Sequence, residues 1–171
     1  MANWLISVKY EEFDLESAYE ELPVIYWSNH AENQNAGFQL GDHVYIYVTQ
    51  PVSKVMYQFK VLDQSGNNYP IEQRKYWKMK EEIESYTVFQ KVSKLDKTSL
   101  TRDYFIQSGL LPKTDTLQAR RTDRKKALNH PIKLLLDFIA DQFQRDRIEY
   151  DYPDEAGLEN ETFPEGAKQT V

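Results

Sequence analysis

The chain of 171 residues contains no cysteine, which excludes disulfides and every thiolate metal site. Its three histidines are scattered, which argues against a zinc centre. No run of eighteen apolar residues occurs, so no membrane-spanning helix is expected. The start, Met1-Ala2-Asn3-Trp4-Leu5-Ile6-Ser7, lacks the basic region and long apolar core of a signal peptide. An intracellular, cytoplasmic protein is the expectation. The six glycines form neither G-x-x-x-x-G-K nor G-x-G-x-x-G, so no phosphate cradle is present. A G-x-S-x-G nucleophile elbow is also absent. The abundant carboxylates crowd helix faces and the C-terminal stretch without forming a catalytic constellation. The chain therefore reads as a binding domain, with no catalytic residue, metal or cofactor expected and no enzymatic activity of its own.

What is present is 40% apolar residues and 13% aromatic ones, enough for a packed core. The net charge of −6 conceals a segregation. Residues 1–70 carry three basic and nine acidic groups, residues 71–136 fifteen and eight, residues 137–171 three and ten. A localised basic segment can meet phosphates even in an acidic protein, because phosphates respond to the local field. A merely solvated basic face fits the same counts.

Along the chain, Asn3 to Val8 reads as a buried strand. Asp14 then precedes Leu15, Ala18, Tyr19 and Leu22 at helical spacing, and Pro23 ends the pattern, which predicts a short capped helix. Val24 to Trp27 forms a second strand, and 29–37 a polar loop. Gly41-Asp42 turns into the β-branched and aromatic run His43-Val44-Tyr45-Ile46-Tyr47-Val48. A Pro51 link and a second run, Val55 to Leu62, follow, which predicts a hairpin. Residues 63–68 carry a loop signal. Strands are expected at Tyr76–Lys80 and Tyr86–Val92, then a helix over Thr101–Gln107 closed by Gly109. Lys113 to Lys126 reads as a basic loop. Behind Pro131, the spacing of Ile132, Leu135, Leu136, Ile139 and Phe143 predicts an amphipathic helix. Residues 1–145 thus form one α+β domain, with five or six strands, short flanking helices and a C-terminal helix. Residues 146–171 read as an acidic linker or disordered tail.

The Trp27-Ser28-Asn29 segment followed by a "GD-x-V-x-x-Y" strand resembles the EVE domain of the PUA-like superfamily. The resemblance implies a small PUA-like β-barrel that binds nucleic acid, in a family containing readers of modified bases. A reader must extrude its base, stack it on aromatic faces and satisfy its polar edge. By the resemblance, Trp27 and Tyr47 sandwich the base while Ser28 or Asn29 meets its edge, with Trp4 close to the pocket. Strand alternation places Tyr45, Tyr47 and Thr49 on one face and Val44, Ile46 and Val48 on the other. With the Val/Ile face in the core, the Tyr face is expected to be free to line a pocket. Trp77 fits cross-strand packing better than base stacking, and His30 fits an exposed loop position. Phosphate contacts are expected from Arg120, Arg121, Arg124, Lys125 and Lys126, with Arg74, Lys75, Lys78 and Lys80 as a second stripe.

The end of the chain, Phe163-Pro164-Glu165-Gly166-Ala167, resembles the linker before an HNH nuclease domain in restriction endonucleases. That implies a specificity module whose partner is double-stranded DNA bearing 5-methyl- or 5-hydroxymethylcytosine, joined to a C-terminal HNH domain. Two other readings fit the same barrel: a PUA-like module for structured or modified RNA, and a protein-interaction barrel whose basic segment only solubilises.

Overall fold

The computed structural model describes residues 2–28, 38–66, 69–78, 86–114, 117, 120–121 and 132–149. It has two compact units, Met1–Ile139 and Ala140–Val171. The first holds six strands: β1 (Asn3–Val8), β2 (Val24–Ser28), β3 (His43–Val48), β4 (Lys54–Gly66), β5 (Tyr86–Lys94) and β6 (Arg120–Arg121). It also holds α1 (Leu15–Glu21), α2 (Arg102–Gln107) and the start of α3 (Ile132–Glu149). The described part of the second unit is the rest of α3, where Arg145 pairs with Asp141 one turn earlier at 2.8 Å.

The strands form one mixed sheet in the order β2-β5-β4-β3-β1-β6. β1 runs parallel to β3 and the other pairings are antiparallel. This is the α+β class that the sequence predicts, and among the described residues the sheet stays open, with β2 and β6 at its two edges. Bulges interrupt β4 against both of its neighbours. Those bulges let a thirteen-residue strand bend instead of lying flat.

Several local expectations hold. The Asp14 side chain accepts from Ser17 N at 3.2 Å, capping α1 as read. α2 ends at Gly109, whose φ of +79° is the left-handed conformation that glycine adopts without strain. A Cβ at Gly109 meets nothing within 4 Å. Gly109→Ala therefore acts through the backbone alone. Chemical denaturation should register a loss of about 1 kcal/mol, with no change in core packing.

Other expectations are corrected. β4 continues through Gly66, where a loop was expected, because residues 63–66 still pair with β5. Of the strand expected at Tyr76–Lys80, residues 79 and 80 lie outside the described residues, Trp77 makes one bridge to Phe13, and Tyr76 ends a 3-10 helix over Ile71–Tyr76. Pro70 at its entry supplies no donor for a ladder, and alternation alone misreads such a segment. Within the expected basic loop, Arg120 and Arg121 form β6 against Leu5 and Trp4. α3 runs to Glu149, past the boundary drawn at residue 145.

The alternation on β3 is as read, and the Val/Ile face does fill the core. Val44, Ile46 and Val48 join Trp4, Ile6, Ile25, Trp27, Phe59 and Phe89 in one apolar cluster. The Tyr face is not free, however. Leu5, Tyr45 and Tyr47 are also buried, as are Leu100, Phe105, Leu111, Leu117, Leu135, Leu136 and Ile139 from later in the chain. With Tyr45 and Tyr47 buried, a second layer lies over the other face of β3, which is therefore covered on both faces. The Tyr45 hydroxyl accepts from Gln58 Nε2 at 3.2 Å, and Ser93 Oγ donates to Gln58 Oε1 at 3.1 Å. This polar chain satisfies groups that would otherwise be stranded in the layer.

Candidate nucleic-acid interface

The aromatic residues singled out by the sequence occupy three different places. Trp27 is 1% exposed and stacks on Phe89 with centroids 5.6 Å apart. Phe13 and Trp77 meet it edge-on at 5.5 and 5.3 Å. Tyr47 faces the second layer, so the sheet itself separates it from Trp27, and the two rings do not frame one pocket. Trp4 is fully buried, and its Nε1 donates to Asp42 Oδ2 at 2.9 Å beneath Phe38. Ser28 is buried, and Asn29 and His30 lie outside the described residues.

The basic residues divide similarly. Arg124, Lys125, Lys126 and Lys80 fall outside the described residues, and for Arg120 and Arg121 the description covers only the backbone. Arg74 is half-buried and donates from Nη1 to Trp77 O at 2.8 Å, so its guanidinium is engaged in holding the 3-10 segment. Lys75 lies over the Tyr76 ring at 5.2 Å. Lys78 is exposed and stands at the rim of a cavity.

That cavity, about 420 Å³, opens beside the β3–β4 turn. Three stretches build it. The first is the loop from Tyr10 to Glu16, which leaves β1 and is stitched down by its backbone: Asp14 N donates to Tyr76 O and Lys78 N to Glu12 O. Tyr10 N donates to Thr49 Oγ1 at 3.0 Å, tying this loop to the turn. The second stretch is the turn itself, through Pro51 and Val52. The third is the start of β4, where Lys54, Met56 and Tyr57 line the floor. Lys54 is held by Asp96 at 2.6 Å.

Tyr10, Phe13 and Tyr57 supply aromatic wall, and Leu15, Val48, Val52 and Met56 supply aliphatic surface. Trp27 contributes from behind: it packs against Phe13, which lines the space, without lining it itself. Tyr57 is only 3% exposed, and its ring stacks on Phe59. Its hydroxyl has no hydrogen-bond partner among the described residues. Burial, and then the negative charges of Glu16 and other neighbours, push that hydroxyl well above the ordinary tyrosine range, so it stays a neutral O–H.

Sequence reasoning missed this cavity because its walls come from a turn, a loop and a bulged strand. The available signal was Tyr10 and Phe13 in an acidic loop, residues without a helical or strand period to place them. Among the described residues no group of His, Cys, Asp or Glu is arranged to hold a metal, and no helix is long and apolar enough to cross a membrane.

No protein-family model matches the chain, and no curated protein matches it in sequence. Solved structures do resemble it. A hypothetical protein from Leishmania major aligns over 83% of this chain and 96% of its own, at 14% identity and a TM-score of 0.54. A structural-genomics protein from Agrobacterium tumefaciens aligns over 77% and 96%, at 11% identity and a TM-score of 0.51. A variant of the ASCH protein from Zymomonas mobilis aligns over 80% and 95%, at 15% identity and a TM-score of 0.45. At such identities the likeness is one of fold alone.

Proposed function

We propose that this domain binds nucleic acid by taking one extruded base into the cavity beside the β3–β4 turn, and that its ligand is DNA bearing a modified cytosine. The observation that carries the reading is the aromatic-walled space of about 420 Å³ with Lys78 at its rim. Its volume lies in the range of small-ligand sites. Tyr10, which is exposed, offers a π-face, and stacking contributes roughly 1–3 kcal/mol per base, the scale that offsets unstacking. Val48, Val52 and Met56 offer apolar surface for a 5-methyl group. Lys78, exposed at the rim, stands where a phosphate flanking an extruded nucleotide would pass, while Lys54 is paired with Asp96. The reading keeps the EVE-type role implied by the Trp-Ser-Asn segment and moves the base from Trp27 and Tyr47 to the wall in front of Trp27. The HNH partner belongs to the same proposal, and the stretch that suggests it lies outside the described residues.

Fluorescence anisotropy with labelled duplexes tests the reading. The protein should favour duplexes with 5-methyl- or 5-hydroxymethylcytosine over the unmodified sequence. Val52→Trp, which fills the cavity, should cost roughly 5- to 150-fold in binding to the favoured duplex, the equivalent of one stacked base. Equal, weak binding of modified and unmodified DNA would sink the modified-cytosine reading. An RNA hairpin that outcompetes the modified duplex would move the assignment to RNA.

A further inference from the structure

The polar groups around the cavity divide into acceptors on one side and a buried hydroxyl on the other. Asp14 and Glu16 both line it. One oxygen of Asp14 accepts from Ser17 N, which fixes the carboxylate's position and leaves its second oxygen uncommitted among the described residues. Glu16 lies on the exposed side of α1, with no ion pair or hydrogen bond among the described residues. The independent observation is Tyr57: the residue is 3% exposed and borders the same space, and its hydroxyl has no hydrogen-bond partner among the described residues. Buried polar groups are almost always satisfied, so such a hydroxyl marks a place where a ligand completes the hydrogen bonding.

We infer that Asp14, Glu16 and Tyr57 form the reading edge of this cavity and select a base that carries an exocyclic amino group. The inference rests on the base-pocket reading above and deepens it. Two carboxylates are acceptors only, and the exocyclic N–H₂ of cytosine or adenine offers two hydrogens. Thymine and uracil present carbonyl oxygens beside a single ring N–H, so one carboxylate would face a carbonyl, a repulsive and unsatisfied contact. The tyrosine hydroxyl then donates to the unprotonated ring nitrogen next to the amino group, N3 of cytosine or N1 of adenine. Discrimination arises as much from the rejected base as from the accepted one, since a site built to hydrogen-bond one edge leaves its buried groups unpaired against another.

The test uses the full chain and labelled DNA duplexes with one mismatched, easily extruded nucleotide: cytosine, 5-methylcytosine, thymine or an abasic residue. Wild type should bind the cytosine and 5-methylcytosine duplexes roughly tenfold more tightly than the thymine duplex, the discrimination of one good polar contact pair. The double variant Asp14→Asn, Glu16→Gln keeps the side-chain shapes and the helix cap. It should collapse the cytosine-to-thymine ratio toward one, while the loss of two negative charges raises binding of every duplex, the abasic one included, by a common factor. Tyr57→Phe keeps the ring and should weaken the cytosine and 5-methylcytosine duplexes more than the thymine duplex, whose ring nitrogen already carries a hydrogen. If thymine binds as well as cytosine, or the double variant keeps the ratio, the reading edge is wrong. In that case the base pocket stands as long as base-bearing duplexes outbind the abasic one. If the abasic duplex binds equally well, the pocket reading fails and this inference with it.

Discussion

Replacing Trp27 by alanine is expected to destabilise the domain by about 3–5 kcal/mol, the cost of emptying a large aromatic site in a packed core. The indole touches Phe13, Trp77 and Phe89, and none of these neighbours is exposed enough to swing into the void without uncovering its own contacts. At the heat-unfolding entropy of a domain this size, the melting temperature should drop by roughly 10–20 °C. Trp27→Phe should recover part of the loss, because the second ring is missing but the stack on Phe89 is kept. A melting temperature within a degree or two of wild type for Trp27→Ala would show that the indole is not a core element. DNA binding measured well below the variant's melting point should fall only as far as Phe13 moves, since Trp27 backs the cavity wall and does not form it.

The contrast between what the sequence disclosed and what it concealed follows from the range over which each feature is encoded. The cap at Asp14, the stop at Pro23, the strand from His43 to Val48 and the glycine after α2 are decided by neighbours a few residues apart, and each was legible. The two-sided burial of β3 was not. Alternation correctly sorted Tyr45 and Tyr47 from Val44 and Ile46, but it cannot say what lies over the second face. The burial of Tyr45 and Tyr47 means that another part of the chain lies over them, and alternation within β3 carries no trace of it. The same holds for Trp27. A tryptophan beside Ser28 and Asn29 looks like a pocket rim in one dimension, and only the approach of Phe13 and Trp77 from other segments encloses it. The segment from Tyr69 to Lys78 misled for a related reason. It is a clasp over the outer strand β2: Tyr26 N donates to Gln73 Oε1, and Tyr69 Oη donates to Tyr26 O at 3.1 Å while accepting from Trp77 Nε1 at 2.7 Å. Side chains that satisfy an edge strand without extending the sheet leave no periodic trace in the sequence.

The Gly41-Asp42 turn that leads the most informative strand has an equally large predicted effect, and its structural role differs from that of a simple turn. Asp42 is 4% exposed, and among the described residues no cation pairs with its carboxylate; amide and indole donors surround it instead. Oδ1 accepts from Ala2 N at 3.0 Å, and Oδ2 accepts from Trp4 Nε1 at 2.9 Å and Gln39 N at 3.0 Å. One carboxylate thus joins the start of β1, the main core indole and the turn into β3, the two strands that run parallel. Parallel neighbours cannot be linked by a tight hairpin, so their register needs a long-range tie, and Asp42 supplies it. Asp42→Ala strands the three donors, two of them on backbone at the sheet's end and one on a fully buried ring. Hydrogen bonds to a charged group contribute about 1.5–3 kcal/mol each, and a buried donor left unpaired costs about 1–3 kcal/mol. The expected loss is at least about 3 kcal/mol, comparable to that for Trp27, and urea unfolding should register it as a lower midpoint with an unchanged slope. Asp42→Asn should recover only part, because its single carbonyl oxygen can replace one carboxylate oxygen while its amide N–H₂ opposes the donors facing the other. Hydrogen exchange should then place the loosening at residues 3–8 and 43–48 ahead of β4 and β5. An alanine variant as stable as wild type, with those amides equally protected, would mean that the parallel pair is held by its ladder and core alone.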